Sequence, residues 1–200
     1  MSRLRAALSV LVLVPGLASA AAGDWLVRGR IIDVDPDMSG SDTLAVLKVD
    51  GDNQVVPELD FSYFLTENVA AELILATSKH DIDSSLGNLG SVKVLPPTLT
   101  LQYHFAPTGS FRPYVGAGLN YTHFYGVDLE AGGQAIDVDR NSWGWALQAG
   151  VDIPVSRDWF VNLDVKKIAI DTDVRFKGGA DLGHLDVDPY VYGIGVGTRF

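Results

Sequence analysis

The sequence predicts an all-β fold: an eight-stranded antiparallel transmembrane β-barrel with short periplasmic turns and long extracellular loops. Three observations predict it. Segments of roughly 10–14 residues alternate apolar with polar side chains, the spacers between them alternate short and long, and the chain ends on a patterned strand, "DPYVYGIGVGTRF", that closes on an aromatic. A strand sends successive side chains to opposite faces whereas a helix repeats every ~3.6 residues, so this alternation reads as strand.

Ahead of the first strand, "MSRLRAALSVLVLVPGLASAAAGDW" sets two arginines, an apolar run and small residues in order. That order is a secretory leader, assigned to residues 1–22 with cleavage after Ala20 or Ala22. Residues 23–200 then form one domain carrying 13 Lys and Arg against 25 Asp and Glu, a net charge of −12. Such acidity argues against a nucleic-acid partner. The absence of cysteine leaves an exported chain without disulfide staples. After the leader no window approaches the ~18 apolar residues of a transmembrane helix, so the protein is either periplasmic or crosses the membrane as strands.

The first strand begins near Trp25. The second, "PELDFSYFL", sets Pro57, Leu59, Phe61, Tyr63 and Leu65 against Glu58, Asp60, Ser62 and Phe64. A third starts near Asn68, and the fourth, "PPTLTLQYHF", opposes Leu99, Leu101, Tyr103 and Phe105 to Thr98, Thr100, Gln102 and His104. The fifth begins near Phe111. The sixth, "WGWALQAGVDI", opposes Trp143, Trp145, Leu147, Ala149 and Val151 to Gly144, Ala146, Gln148, Gly150 and Asp152. The last two start near Asp158 and Pro189. Short connections lie around residues 66–68, 106–110 and 154–158, and Gly- and Asp-rich long ones at roughly 36–54, 80–95, 126–141 and 174–188. This asymmetry is the habit of an outer-membrane barrel with both termini on the short-turn side.

Lipid-facing strands carry aromatic residues at two heights. The short-turn girdle is Trp25, Tyr63, Tyr103, Phe105, Phe111, Trp159 and Phe200; the long-loop girdle is Tyr121, Tyr125, Trp143, Trp145, Tyr190 and Tyr192. A soluble lipocalin-like barrel shares the alternation but has no reason to build two aromatic rings. In the last strand Tyr190, Tyr192, Ile194, Val196 and Thr198 share the lipid face with Phe200, while Gly193, Gly195 and Gly197 face the lumen. That strand must pair with the first, because an open edge is not tolerated in hydrocarbon.

Several stretches resemble the OmpW family: "GDWLVRGRIIDVDPD", "LPPTLTLQYHF", "FRPYVGAGLNYTHFY", "SWGWALQAGVDIPVSRDWFVNLDVKKI" and "LDVDPYVYGIGVGTRF". They occur in order and cover well over half of the chain after the leader. The resemblance implies a monomeric eight-stranded barrel in the outer membrane with a narrow, largely apolar channel for passive transport of small hydrophobic molecules. It also implies contact with outer-membrane lipid and lipopolysaccharide, recognition of the Phe200 strand by barrel-assembly machinery, stress responses, and colicin or phage receptor roles.

Inward parity nominates the lumen residues: Leu26, Arg28, Arg30 and Ile32; Glu58, Asp60 and Phe64; Glu72 and Ile74; and Asp152, Phe160, Asp164 and Lys166. Eight strands leave an interior only just wide enough for its side chains. One reading is therefore a plugged lumen in which Arg28 and Arg30 pair with the acids and nothing passes. The other is an apolar path along Leu26, Ile32, Phe64, Ile74 and Phe160, interrupted by the charges, with exit sideways or through a moving constriction. By the resemblance, Ile74 and Lys166 fall at channel-narrowing positions, where some relatives carry a bulky aromatic in place of Lys166. Lys166 pairing with a lumen acid would act as a latch.

Acid pairs recur at the long-loop strand ends: Asp33/Asp35, Asp81/Asp83, Asp137/Asp139, Asp171/Asp173 and Asp186/Asp188. They form either an outward acidic collar that keeps hairpin edges soluble or a set of oxygen ligands for divalent cations shared with lipopolysaccharide. The collar is preferred, and no metal or cofactor is assigned. Lys167 is placed to snorkel toward a lipid phosphate. Enzymatic activity is not expected: a serine nucleophile needs a histidine within reach, and His80, His104, His123 and His184 show no His-x-Ser spacing. The alternative to a channel is a closed barrel acting as a structural or surface-receptor protein through its loops.

Overall fold

The computed structural model describes residues 21–200. The leader predicted over 1–22 lies outside the described residues except for Ala21 and Ala22. The strands are β1 (Trp25–Asp35), β2 (Ser39–Gly40), β3 (Asp50–Gly51), β4 (Gln54–Phe64), β5 (Val69–Ala76), β6 (Ser78–Ser84), β7 (Gly87–Leu95), β8 (Thr98–His104), β9 (Arg112–Ala131), β10 (Gln134–Val138), β11 (Asn141–Pro154), β12 (Trp159–Ile168), β13 (Asp171–Phe176), β14 (Asp181–Asp186) and β15 (Tyr190–Arg199). A six-residue helix, α1 (Asp42–Leu47), lies between β2 and β3.

Eight of the strands close a ring, each antiparallel to the next: β1, β4, β5, β8, β9, β11, β12, β15 and back to β1. Closure runs to the last residue, where the Trp25 and Phe200 N–H groups donate to each other's carbonyls at 2.8 Å. The aromatic terminus predicted from sequence is thus a structural member of the wall. The tight turns are held by side chains: Thr66 Oγ1 accepts from the Val69 N–H at 3.0 Å, and Ser156 Oγ from the Trp159 N–H at 3.2 Å.

The spacers expected as long loops are mostly sheet. Residues 80–95 fold as the β6–β7 hairpin, 126–141 carry the end of β9 into β10, and 174–188 turn β13 into β14. Gly and Asp are depleted in strands, which made these segments read as loop. Their inward positions nevertheless alternate as apolar residues, Ile82, Val92, Ile136, Val138, Val174 and Leu185, and bury a shared interior. The chain reverses at positions such as Gly87, whose φ of +107° suits a residue without Cβ. The 20 residues of β9, at ~3.3 Å each, exceed the ~30 Å hydrocarbon layer about twofold. The wall therefore rises well above the membrane. Segment 36–54 completes the raised rim, with β2 paired to β14 and β3 to β6.

One break interrupts the wall at cavity height. The pairing of β5 with β8 reaches Ile74↔Thr98, and the same register resumes as β6 with β7 at Ser78↔Val94. Between them stand Pro96 and Pro97, which have no N–H to give the ladder.

Candidate functional site

The lumen is stratified into three layers. At the short-turn end Leu26, Phe64, Ala70 and Phe160 form a small buried apolar cluster, and the Arg199 guanidinium lies 3.5 Å over the Phe64 ring. In the middle lies a layer of charge, and above it an apolar cavity opens toward the long-loop end.

The charged layer follows from strand parity, which sends Arg28 and Arg30 of β1 inward at successive heights. Arg28 donates to Asp152 through two nitrogens, Nε to Oδ1 at 3.1 Å and Nη2 to Oδ2 at 2.8 Å, and through Nη1 to Glu72 at 3.0 Å. Arg30 donates to Glu58 at 2.8 Å and to Asn162 Oδ1 at 2.6 Å. It also meets Asp60 as an ion pair whose angles do not make a hydrogen bond, so both Asp60 oxygens are left without a donor. Lys166 bridges Glu58 at 2.7 Å and Asp164 at 2.8 Å. The Tyr114 hydroxyl donates to Asp164 at 2.7 Å, and Gln102 and Thr100 donate to Glu72 at 2.7 and 3.2 Å. Three cations thus meet five carboxylates, all with side chains no more than 3% exposed, where unpaired charge is costly. The network spans the lumen and plugs it.

The cavity above has a volume of about 400 Å³ and an almost wholly apolar lining. Ile32 and Ile74 line its lower wall beside Glu58, which belongs to the plug. The raised hairpins supply Ile82, Leu89, Ile136 and Leu185, and α1 contributes Leu44.

The predicted apolar path is therefore not continuous. Ile32 and Ile74 belong to the cavity, whereas Leu26, Phe64 and Phe160 lie beneath the plug, because Arg28 and Arg30 intervene between Leu26 and Ile32 on the same face of β1. Lys166 does pair with lumen acids. The short-turn girdle residues Trp25, Tyr63, Tyr103, Phe105, Phe111, Trp159 and Phe200 are exposed on the outer surface, as are Trp143, Trp145, Tyr190 and Tyr192 at the other girdle. Tyr121 and Tyr125 are half-buried, Tyr121 against the Trp143 ring and Tyr125 bonded to Thr77 at 2.7 Å.

Of the acid pairs, Asp188 departs from the expected pattern. Its φ of +31° takes it out of the strand, and its carboxylate accepts from the Ile170 N–H at 3.0 Å. Among the described residues, no three acidic or histidine side chains converge as a metal-binding group. Lys167 is engaged within the protein, donating to the Asp188 carbonyl at 2.6 Å and to Asp37 at 3.1 Å. His184 sits among Asp171, Asp173 and Asp186, with Nδ1 2.8 Å from Asp173 Oδ1. The hydrogen bond to Asp173, with the surrounding carboxylates, raises its pKa above the ordinary histidine value.

Sequence reasoning missed one pair. Ser78 and His80 meet on the cavity wall, Oγ to Nε2 at 2.8 Å. Their order is Ser-x-His, the reverse of His-x-Ser, and residues two apart share one face of a strand.

The sequence model of the OmpW family matches residues 21–200. Outer-membrane protein y4mB of Sinorhizobium fredii is 42% identical over 199 residues, covering 94% of this chain and 86% of its own. Outer membrane protein W of Escherichia coli is 38% identical over 208 residues, covering 98% and 97%. The crystal structure of OprG from Pseudomonas aeruginosa is similar with a TM-score of 0.81 at 33% identity, over 91% of this chain and 98% of that one. The chain belongs to the OmpW family, and its place is the outer membrane.

Proposed function

We propose that this barrel takes up small hydrophobic molecules from outside the cell, holding them in the apolar cavity and releasing them sideways into the outer membrane above the plug. The observation that carries this reading is the 400 Å³ apolar cavity standing on a charged floor. Burial of apolar surface, at ~25 cal/mol per Å², draws such solutes in, while desolvation bars them from the layer of Arg28, Arg30, Glu58, Asp60, Glu72, Asp152, Asp164 and Lys166. The break in the wall opposite Pro96 and Pro97 supports a sideways exit, since parting the wall there disrupts fewer ladder bonds. The function needs no covalent chemistry, and the chain is read as a non-enzyme. Its partners in this reading are small hydrophobic solutes, lipid and lipopolysaccharide around the girdles, and the assembly machinery that takes the Phe200 strand; it acts as a monomer.

Flux into liposomes containing the refolded barrel tests the reading, with a small hydrophobic solute beside a small sugar. Selective hydrophobic flux, lost in Ile74→Trp, supports it. The continuous ion-pair plug favours a second reading, a closed barrel working through its surface hairpins as a structural or receptor protein. Absence of flux for both solutes would decide for that reading.

A further inference from the structure

Ser78 and His80 are anomalous where they stand. Both are buried, at 8% and 5% exposure, on the wall of a cavity lined mostly by Ile, Leu, Val and other apolar residues. The bonding around them assigns their protons. His80 Nδ1 lies 2.8 Å from the Asp52 main-chain carbonyl, which can only accept, so Nδ1 carries the hydrogen. In the neutral imidazole Nε2 is then the acceptor, and the Ser78 hydroxyl 2.8 Å away donates to it. The hydroxyl proton is thereby committed inside the pair, and the two lone pairs of Ser78 Oγ have no other partner among the described residues. Other buried polar groups of the lining are engaged: Thr172 donates to the Asp139 carbonyl, Thr98 donates to the Pro96 carbonyl and accepts from Asn120, and Glu58 is tied to Arg30 and Lys166.

We infer that Ser78 Oγ is a recognition point for a hydrogen-bond donor, so that the preferred solutes are apolar molecules bearing one hydroxyl or N–H group, such as hydrophobic alcohols. This rests on the uptake reading above and deepens it. An acceptor in a dry apolar wall favours a solute that supplies the missing donor over an isostere that cannot. The site adjoins the Pro96–Pro97 break, so the polar end of the solute would be held beside the exit.

A serine bonded to an oriented histidine is also how a nucleophile is activated. Here the orienting group is a main-chain carbonyl. The Asp52 carboxylate is held elsewhere, accepting from the Asp81 N–H at 2.7 Å and from Gln54 Nε2 at 2.5 Å, with its nearer oxygen 3.9 Å from Nδ1. That arrangement suits binding rather than covalent attack.

The test compares 1-nonanol with its isomer methyl octyl ether, binding each to the full-length mature barrel in lipid nanodiscs and following saturable shifts of the His80 ring nitrogens by NMR. Tighter binding of the alcohol by about three- to tenfold is expected, the contribution of one net hydrogen bond. Because Ser78→Ala alone would bare the His80 Nε2 acceptor, the double variant Ser78→Ala/His80→Phe should abolish the preference, with binding of both isomers then read from methyl shifts of Ile74; Ser78→Thr should keep it. Equal binding of the two isomers would overturn this inference alone, because ether binding keeps the uptake reading alive. Failure of both to bind would overturn inference and uptake reading together.

Discussion

Arg28 and Asp152 are 124 residues apart in sequence and face each other across the lumen as a two-pronged ion pair, at 3.1 and 2.8 Å, with neither side chain open to solvent. Asp152 also accepts from Asn162 at 2.7 Å. Removing the carboxylate leaves the guanidinium with Glu72 and Ser62 but strips its bidentate partner. Asp152→Ala should lower stability by about 3 kcal/mol, toward the lower end for a broken buried pair. Urea unfolding in lipid vesicles reads this directly, and a loss below about 1 kcal/mol would mean the plug relaxes around the vacancy.

Lys166 ties β12 to β4 through Glu58 and is one of the three cations that offset five lumen acids. Its truncation leaves Glu58 with one cation and opens space at the cavity floor. Lys166→Ala should therefore raise ion conductance in planar bilayers above that of the parent barrel. Conductance equal to the parent's would show that Lys166 does not act as a latch.

Gly195 faces the lumen where β15 packs against β1, and a Cβ built there would stand 2.2 Å from the Gly29 carbonyl oxygen and 2.8 Å from the Arg30 Cα. Those neighbours are backbone and cannot rotate away. Gly195→Val should prevent β15 from closing on β1, which an outer-membrane barrel cannot tolerate. The expected result is loss of the compact, heat-modifiable band in gel electrophoresis, against retention in Val196→Leu on the lipid face.

His184 and Asp173 are register partners in the exposed β13–β14 hairpin. The folded-state pKa of His184 is raised, so its contribution is fully present below the unfolded value of 6.5 and is lost as pH rises through the folded value. With His184 45% and Asp173 59% exposed, the pair contributes modestly, and salt should weaken it. Amide protection factors in β13 and β14, which remove the base-catalysed pH dependence of intrinsic exchange, should be higher on the acidic side of the His184 titration than on its basic side. In Asp173→Asn the histidine titration, followed by NMR, should fall toward 6.5.

Alternation along the chain was enough to orient nearly every wall residue. The period of two places Arg28, Glu58, Glu72, Asp152 and Lys166 inside and Trp25, Tyr103, Trp159 and Tyr192 outside, because side-chain direction in a strand is a local property of the backbone. Fold, closure at Phe200 and the residues of the plug were legible for that reason. The raised hairpins were not. Gly and Asp mark turns in most contexts, and only burial of Ile82, Ile136 and Leu185 against one another makes strands of those segments. Nor was the pairing within the lumen legible: which acid meets Arg28 depends on strand tilt and stagger around the closed barrel, quantities that no single segment carries. The cavity exists because three hairpins and segment 36–54 converge above the plug, and the Ser78–His80 pair acquires meaning only once Asp52, brought over by the β3–β6 pairing, orients the imidazole. Direction was a local matter settled by the backbone; partnership was a global one settled by closure.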